Sequence, residues 1–166
     1  PMAHALSGQV AFQAGRYAES LDHAERALAL APAFWVGHMV RGQTLERLDR
    51  LDDAVAALSE AERLSDRNSK AVATRAFGLA RLGRVDEARA VLAALTERAR
   101  QRYVPPYAFA LAHLGLGEDD QALEWLTRAS EGRDTHLMYV PVDGKWDRLR
   151  GDPRLVALLR RSGFRP

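Results

Sequence analysis

Apolar residues recur at helical spacing along most of this chain. Between residues 69 and 99 they include Val72 and Leu79, then Val91 and Leu95 on the far side of Gly83. Steps of three or four residues place such side chains on one face of an α-helix. Glycine lets a chain leave a helix at positive φ without steric strain. The pattern therefore predicts pairs of amphipathic helices joined by tight turns.

The turn recurs every 34 residues. Equivalent positions are Gly15, Asp49, Gly83 and Gly117. Two further series keep the same spacing, Gly8, Gly42, Ala76 and Ala110 and then Ala27, Ala61, Leu95 and Ala129. Small residues let paired helices approach closely, where a larger side chain would overpack and cost about 1–3 kcal/mol. A fixed period of this length predicts an all-α protein of stacked helical hairpins.

The period and its small-residue series resemble the tetratricopeptide repeat. The resemblance implies a right-handed superhelical solenoid of four helix-turn-helix units, at residues 1–34, 35–68, 69–102 and 103–134. The predicted helices are 2–14, 17–30, 35–48, 51–64, 69–82, 85–99, 105–116 and 119–131. The units depart from the family where a large aromatic is usual, at His4, His38, Val72 and Pro106. We therefore expect looser packing of the first helix of each unit.

Beyond residue 134 the repeat stops. Residues 137–142 have strand-like composition but no partner strand, so we expect an extended linker packed on the last hairpin. Asp152 and Pro153 are typical of a helix start, and Leu155, Leu158 and Leu159 follow as an apolar stripe. We therefore predict an extended linker and a basic capping helix over residues 135–166, covering the end of the solenoid.

Residues 146–161 also resemble the tail that closes tetratricopeptide regions in multidomain bacterial regulators. The resemblance implies that the chain is one module of a larger protein. The scarcity of lysine, two among 24 basic residues, and the abundance of alanine are typical of a GC-rich bacterial source.

Composition narrows the class of protein. With 47% hydrophobic and 28% charged residues, the chain is typical of a soluble globular protein. The absence of cysteine excludes disulfides and thiolate sites. The sequence has no apolar run of membrane-spanning length and no secretory signal, so we expect a cytoplasmic protein without a membrane partner.

The C-terminal region is basic. From residue 145 onward seven basic residues, ending with Arg165, stand against two acidic ones. A nucleic-acid interface with Tyr139 and Trp146 as stacking residues is disfavoured, because the cations alternate around a short amphipathic helix and no nucleic-acid motif accompanies them. A solvated cap is therefore the preferred interpretation.

The resemblance implies a concave groove lined by the first helices. The groove positions carried over to this chain are Met2, Gln9, Phe12, Met39, Gln43, Arg47, Lys70, Phe77, Arg81, Tyr107 and Leu111. Methionine and aromatic side chains suit an apolar peptide or helix. The family's carboxylate clamp for chaperone tails corresponds to Ala5, Gln9, Val40, Lys70 and Thr74, and only the lysine agrees. We therefore expect a protein or peptide partner other than a chaperone tail.

Two functions follow from these features. The first is a scaffold that binds a partner's peptide or helix in the groove, and the second is self-association or regulation within a larger regulator. The sequence has no catalytic motif, so we expect neither an enzyme nor a cofactor. A metal site at His4 and His38 is disfavoured because two lone imidazoles lack further ligands.

Overall fold

The computed structural model describes residues 1–164, all of whose regular elements are helical. Arg165, counted above in the basic tail, and Pro166 lie outside the described residues. The α-helices are α1 (Met2–Gln13), α2 (Tyr17–Leu30), α3 (Trp35–Arg47), α4 (Leu51–Leu64), α5 (Ser69–Arg81), α6 (Val85–Ala99), α7 (Pro106–Gly115), α8 (Asp119–Glu131) and α9 (Pro153–Arg161). Two 3-10 helices, Thr135–Tyr139 and Gly144–Leu149, lie between α8 and α9. The all-α prediction is confirmed.

Helices α1–α8 pair into four hairpins within the described part of the chain. We call α1, α3, α5 and α7 the first helices and α2, α4, α6 and α8 the second helices. Helices α2 and α4 each pack against the first helix of the next hairpin. In contrast, α7 packs against α5 of the preceding hairpin and contacts α6 little. The result is a helical repeat solenoid with one loosened junction.

The same backbone bond closes the turn in all four hairpins. It joins Arg16 N to Ala11 O, Arg50 N to Leu45 O, Arg84 N to Leu79 O and Glu118 N to His113 O. This six-residue bond is typical of a helix that ends in a left-handed residue. Gly83 has φ 83° there, and Asp49 adopts φ 59° at the equivalent place. The turns predicted from the 34-residue spacing are therefore confirmed.

Small residues bring the helices of a hairpin together. A Cβ atom built on Gly42 would lie 2.6 Å from Leu58 Cγ and 3.1 Å from the carbonyl oxygen of Ala54. On Gly8 it would lie 3.2 Å from the carbonyl oxygen of Ser20. The close approach expected from the repeated small residues is thus present.

A cleft also lies beside α6, between the second and third hairpins. It has a volume of about 750 Å³, and Val72 and Arg75 of α5 contribute to its lining together with residues of α4 and α6. Val72 itself is buried. Looser packing of the first helices therefore stays a prediction.

The prediction of an extended linker at residues 137–142 is wrong, because this part of the chain forms helical turns. Asp134 accepts a hydrogen bond from His136 N at 3.0 Å and begins the first 3-10 helix. Asp143 accepts one from Lys145 N at 3.0 Å and begins the second. Local capping by aspartate prevails over β-propensity where no partner strand is present.

Helix α9 begins as the sequence predicts. Asp152 accepts a hydrogen bond from Arg154 N at 2.8 Å, and Pro153 occupies the first helical position. Leu155, Leu158 and Leu159 are buried, and α9 packs against α8.

Gly42→Val should lower the free energy of unfolding by about 1–3 kcal/mol, because the added methyl groups would overlap Leu58, which is fully buried. Gly151→Val is the matched control, since no atom of the described residues lies within 4 Å of a Cβ at that position. Urea unfolding of both variants measures the difference. Equal stability of the two would contradict the close-packing explanation.

Candidate peptide-binding groove

The first helices form one continuous face, which we call the groove face. Helix α1 packs against α3, α3 against α5, and α5 against α7. All the groove positions predicted from the resemblance lie on these four helices. The structure places six of them in buried positions, namely Phe12, Met39, Gln43, Phe77, Tyr107 and Leu111. Gln9, Arg47 and Lys70 are half-buried, and Met2 and Arg81 are exposed.

The chain's own residues 134–149, which we call the groove segment, cover this face. Its contacts include polar and cation–π contacts with α3 and α5. Arg47 Nη1 of α3 donates a hydrogen bond to the carbonyl oxygen of Gly144 at 3.5 Å. Lys70 Nζ of α5 lies 4.0 Å from the centre of the Tyr139 ring.

The groove segment's largest side chains reach the outer two hairpins. Lys145 Nζ lies 4.5 Å from the centre of the Phe12 ring of α1, and the Trp146 and Tyr107 ring centres are 5.9 Å apart. The groove segment thus contacts the first helix of each described hairpin. The groove that the sequence predicts is filled in this structure, and its use by a partner stays a prediction.

A network of charged groups lies where the groove segment meets α3 and α5. Lys145 Nζ is 3.2 and 3.3 Å from the two carboxylate oxygens of Asp143, and both side chains are buried. Glu46 of α3 is 1% exposed and accepts a hydrogen bond from Arg81 Nη1 at 2.7 Å. Burial raises the pKa of Glu46, and the positive charges of Lys145 and Arg81 oppose that rise.

Trp146 is the main apolar anchor of the groove segment. Its side chain is 0% exposed and belongs to the same core cluster as Tyr107, which is 3% exposed. His136, which also belongs to the groove segment, stacks on Tyr107 with ring centres 5.6 Å apart. Burial raises the pKa of Tyr107. Because aromatic side chains bury large areas, the contact between Trp146 and Tyr107 stabilises the groove segment on the groove face.

Polar groove positions pair with neighbouring repeats. Gln43 Nε2 donates to Gln9 Oε1 at 2.7 Å, which joins α3 to α1 across 34 residues. Arg47 Nε donates to the Tyr17 hydroxyl at 3.2 Å. These side chains therefore hold adjacent hairpins together in the state with the groove segment bound.

Sequence reasoning missed Glu46, Asp143, Lys145 and Trp146 as groove residues. One signal could have indicated Lys145. Only two of the 24 basic residues are lysines, Lys70 and Lys145, and both lie at the groove face.

The two histidines at equivalent repeat positions do not meet. His4 Nδ1 lies 3.4 Å from His23 Nδ1, whereas His38 Nε2 bonds to the carbonyl oxygen of Pro32 at 2.7 Å. Among residues 1–164 no group of three or more His, Asp or Glu side chains is placed to hold a metal ion. No helix in the same range is long and apolar enough to span a bilayer.

Lys70 should make stability rise with pH above about 8. Burial, and to a smaller extent the charge of Lys145, lower its pKa from 10.5 to about 8. Between these values the unfolded chain binds more protons than the folded one, so folding becomes more favourable as the pH rises. Below pH 8 both states carry the proton, and this gain is absent.

The check is the free energy of unfolding of the wild type and Lys70→Met, measured by urea at several pH values between about 7 and 9.5, below the range where tyrosine titrates. As the pH rises across this range, the free energy of unfolding of the wild type should increase relative to that of Lys70→Met. Parallel profiles would contradict the lowered pKa of Lys70.

Comparison with known proteins gives one family match. Residues 4–69, which cover the first two hairpins, match the model of the tetratricopeptide repeat. No curated protein matches the chain at a significant level. Together with the helical hairpins and their recurring turn, the match supports a tetratricopeptide-repeat protein, a type of fold that generally mediates protein–protein interactions.

Proposed function

We propose that this chain is a protein–protein interaction scaffold whose groove face binds a peptide or helix of a partner in competition with the groove segment. The positions proposed to contact the partner are Met2, Gln9, Phe12, Met39, Gln43, Arg47, Lys70, Phe77, Arg81, Tyr107 and Leu111. The observation that carries the proposal is the groove segment itself, a short peptide seated across the first helices of all four hairpins.

The groove segment has the features of a competitor that can be displaced. It contains two 3-10 helices of five and six residues, whose hydrogen-bonding pattern is less favourable than that of an α-helix. It begins after Arg133, which has φ 52° and is the second residue beyond the end of α8. The large buried area of Trp146 favours the bound state of the segment, so a partner must supply comparable contacts to replace it.

The wider setting is proposed from the sequence. The chain would serve as a cytoplasmic, non-catalytic module of a larger bacterial regulator, with a protein partner and neither a cofactor nor nucleic acid. Support comes from the tetratricopeptide match and from the resemblance of residues 146–161 to the tails of such regulators.

Self-association is a second candidate, and the outer face of α1 favours it. Leu6 is 58% exposed, whereas Val40, Thr74 and Ala108, at the same place in the following hairpins, are 0%, 3% and 2% exposed. Val40, Thr74 and Ala108 lie on α3, α5 and α7, and each of these helices packs against the first helix of the preceding hairpin. The interface that runs through the solenoid thus continues onto a face of α1 that residues 1–164 leave uncovered.

A second copy of the chain can cover that face. Helix α1 contains no charged residue, so two copies can approach each other without charge repulsion. Met2 and Val10 extend the apolar stripe and are 52% and 63% exposed. Because one helix face is a small interface, the dimer would be weak and would depend on concentration.

Site-specific photo-cross-linking tests the groove proposal. A benzoyl-phenylalanine at position 70, on the groove face, should cross-link a partner from a lysate of the source organism. At position 100, at the end of α6, it should not. Trp146→Ala should raise the yield from position 70 several-fold, because the groove segment is then held less tightly. A yield from position 100 that equals the yield from position 70, or no effect of Trp146→Ala, would count against the groove.

Multi-angle light scattering over a range of concentrations tests self-association. The wild type should gain mass as its concentration rises, and Leu6→Glu should remain a monomer because a buried carboxylate is costly at an apolar interface. Leu30→Glu is the control, since Leu30 is 64% exposed at the end of α2 and outside the α1 stripe. A wild type that stays monomeric throughout would exclude this candidate.

A further inference from the structure

The groove face holds the ammonium group of Lys145 in a closed site. The Lys145 side chain is 2% exposed, and Nζ lies 4.5 Å from the centre of the Phe12 ring and 5.9 Å from that of Phe77. The two rings come from different hairpins, on α1 and α5. A cation is attracted to aromatic faces most strongly when it is shielded from water. Burial of an ammonium group is otherwise unfavourable, so these surroundings are suited to a cation.

The groove face also holds a buried carboxylate, and the charge of Lys145 acts to lower its pKa. Glu46 of α3 is 1% exposed, and its Oε1 is bonded to Arg81 while Oε2 has no hydrogen-bond partner among the described residues. Asp143, which pairs directly with Lys145, belongs to the groove segment rather than to the groove face. Asp143 and Lys145 can therefore leave the groove together as a neutral pair. Glu46 would then lose a neighbouring positive charge.

The residue after Lys145 is also held in place, since Trp146 packs beside Tyr107 of α7. A Cβ atom on Gly144 would lie 2.9 Å from Arg47 Nη2, the end of a flexible side chain that can move aside, so the position before the lysine is less restricted. The groove segment thus presents a lysine and a large aromatic in successive positions.

We propose that Phe12 and Phe77 form a lysine-recognition pocket with Glu46 as its nearby negative charge, and that the partner of the groove presents a lysine followed by a large aromatic residue. The proposal rests on the groove function proposed above, and it adds the chemistry of the ligand. Without a partner, Lys145 occupies the pocket. The apparent affinity for a partner is therefore the intrinsic affinity multiplied by the fraction of molecules in which the groove is open.

The probe is a fluorescein-labelled peptide with the sequence of residues 141–151, PVDGKWDRLRG, and a second peptide in which methionine replaces its lysine. Fluorescence anisotropy measures the binding of both to the full chain and to its Trp146→Ala variant. The lysine peptide should bind Trp146→Ala at least about tenfold more tightly than it binds the wild type, because the competing segment is weakened. The methionine peptide should bind Trp146→Ala at least about tenfold more weakly than the lysine peptide does.

Glu46→Gln in the Trp146→Ala background gives the sharper result. It should remove most of the preference for the lysine peptide, whereas Glu62→Gln, at a buried carboxylate of α4 outside the groove, should leave that preference unchanged. A purely structural role of Glu46 would weaken both peptides alike. If Trp146→Ala does not fold, Lys145→Met in the full chain replaces it as the background, because Trp146 is then retained.

Each other outcome has a defined meaning. Equal affinity for the two peptides overturns the lysine pocket and leaves the groove function to the cross-linking experiment. Failure of the lysine peptide to bind either background also overturns the pocket. A dimer whose two chains exchange groove segments, seen as a doubled mass that the lysine peptide reverses, would overturn the assignment to a separate partner and make a second copy the occupant.

Discussion

Close helix packing around small residues is the constraint on which the rest of this structure depends. Where Gly42 faces Leu58 and the backbone of α4, there is no room for a side chain. The same place in the neighbouring hairpins holds glycine or alanine, so the hairpins have the same shape and stack in register. Stacking in register puts side chains 34 residues apart next to one another, as Gln9 and Gln43 are. The continuous face formed by the first helices follows from that packing.

A face of this kind cannot remain empty without exposing apolar side chains to water. Phe12, Met39, Phe77 and Tyr107 together would form a large apolar patch, and in this structure the groove segment covers it. The cover is mixed in character. Trp146 supplies apolar contact, while Lys145 introduces a charge that its surroundings must balance. A cover made only of apolar residues would stabilise the fold without such a requirement, and the proposed recognition of a lysine-bearing partner rests on this buried lysine.

Local features of the chain were readily predicted from its sequence. Helices α2, α4, α6 and α8 have the predicted bounds, because the turn at Gly15 and its equivalents and the acidic first turn after it are local signals. The first helices end one residue earlier than predicted, because the last predicted residue of each is its C-cap, namely Ala14, Leu48, Leu82 and Leu116. The groove positions lie on the helices that the resemblance implied.

What covers the groove could not be predicted in the same way. The path of residues 134–149 depends on contacts with helices far earlier in the chain. The contact between Lys145 and Phe12, for example, joins residues more than 100 positions apart. The composition of residues 137–142 favours a strand, and the capping by Asp134 and Asp143 overrides it. Glu46 is a polar residue near a helix end in the sequence, and only the stacking of the hairpins and the groove segment buries it.

The central claim is that the groove segment lies on the groove face in solution, with Lys145 between the rings of Phe12 and Phe77. The most direct measurement is the set of nuclear Overhauser effects from the Lys145 ε-methylene protons in the uniformly labelled protein. The account predicts cross-peaks to the ring protons of Phe12, together with an upfield shift of the ε-methylene signal caused by the ring current. An ε-methylene signal at its unstructured position, without cross-peaks to Phe12 in a protein whose helices are intact, would contradict it.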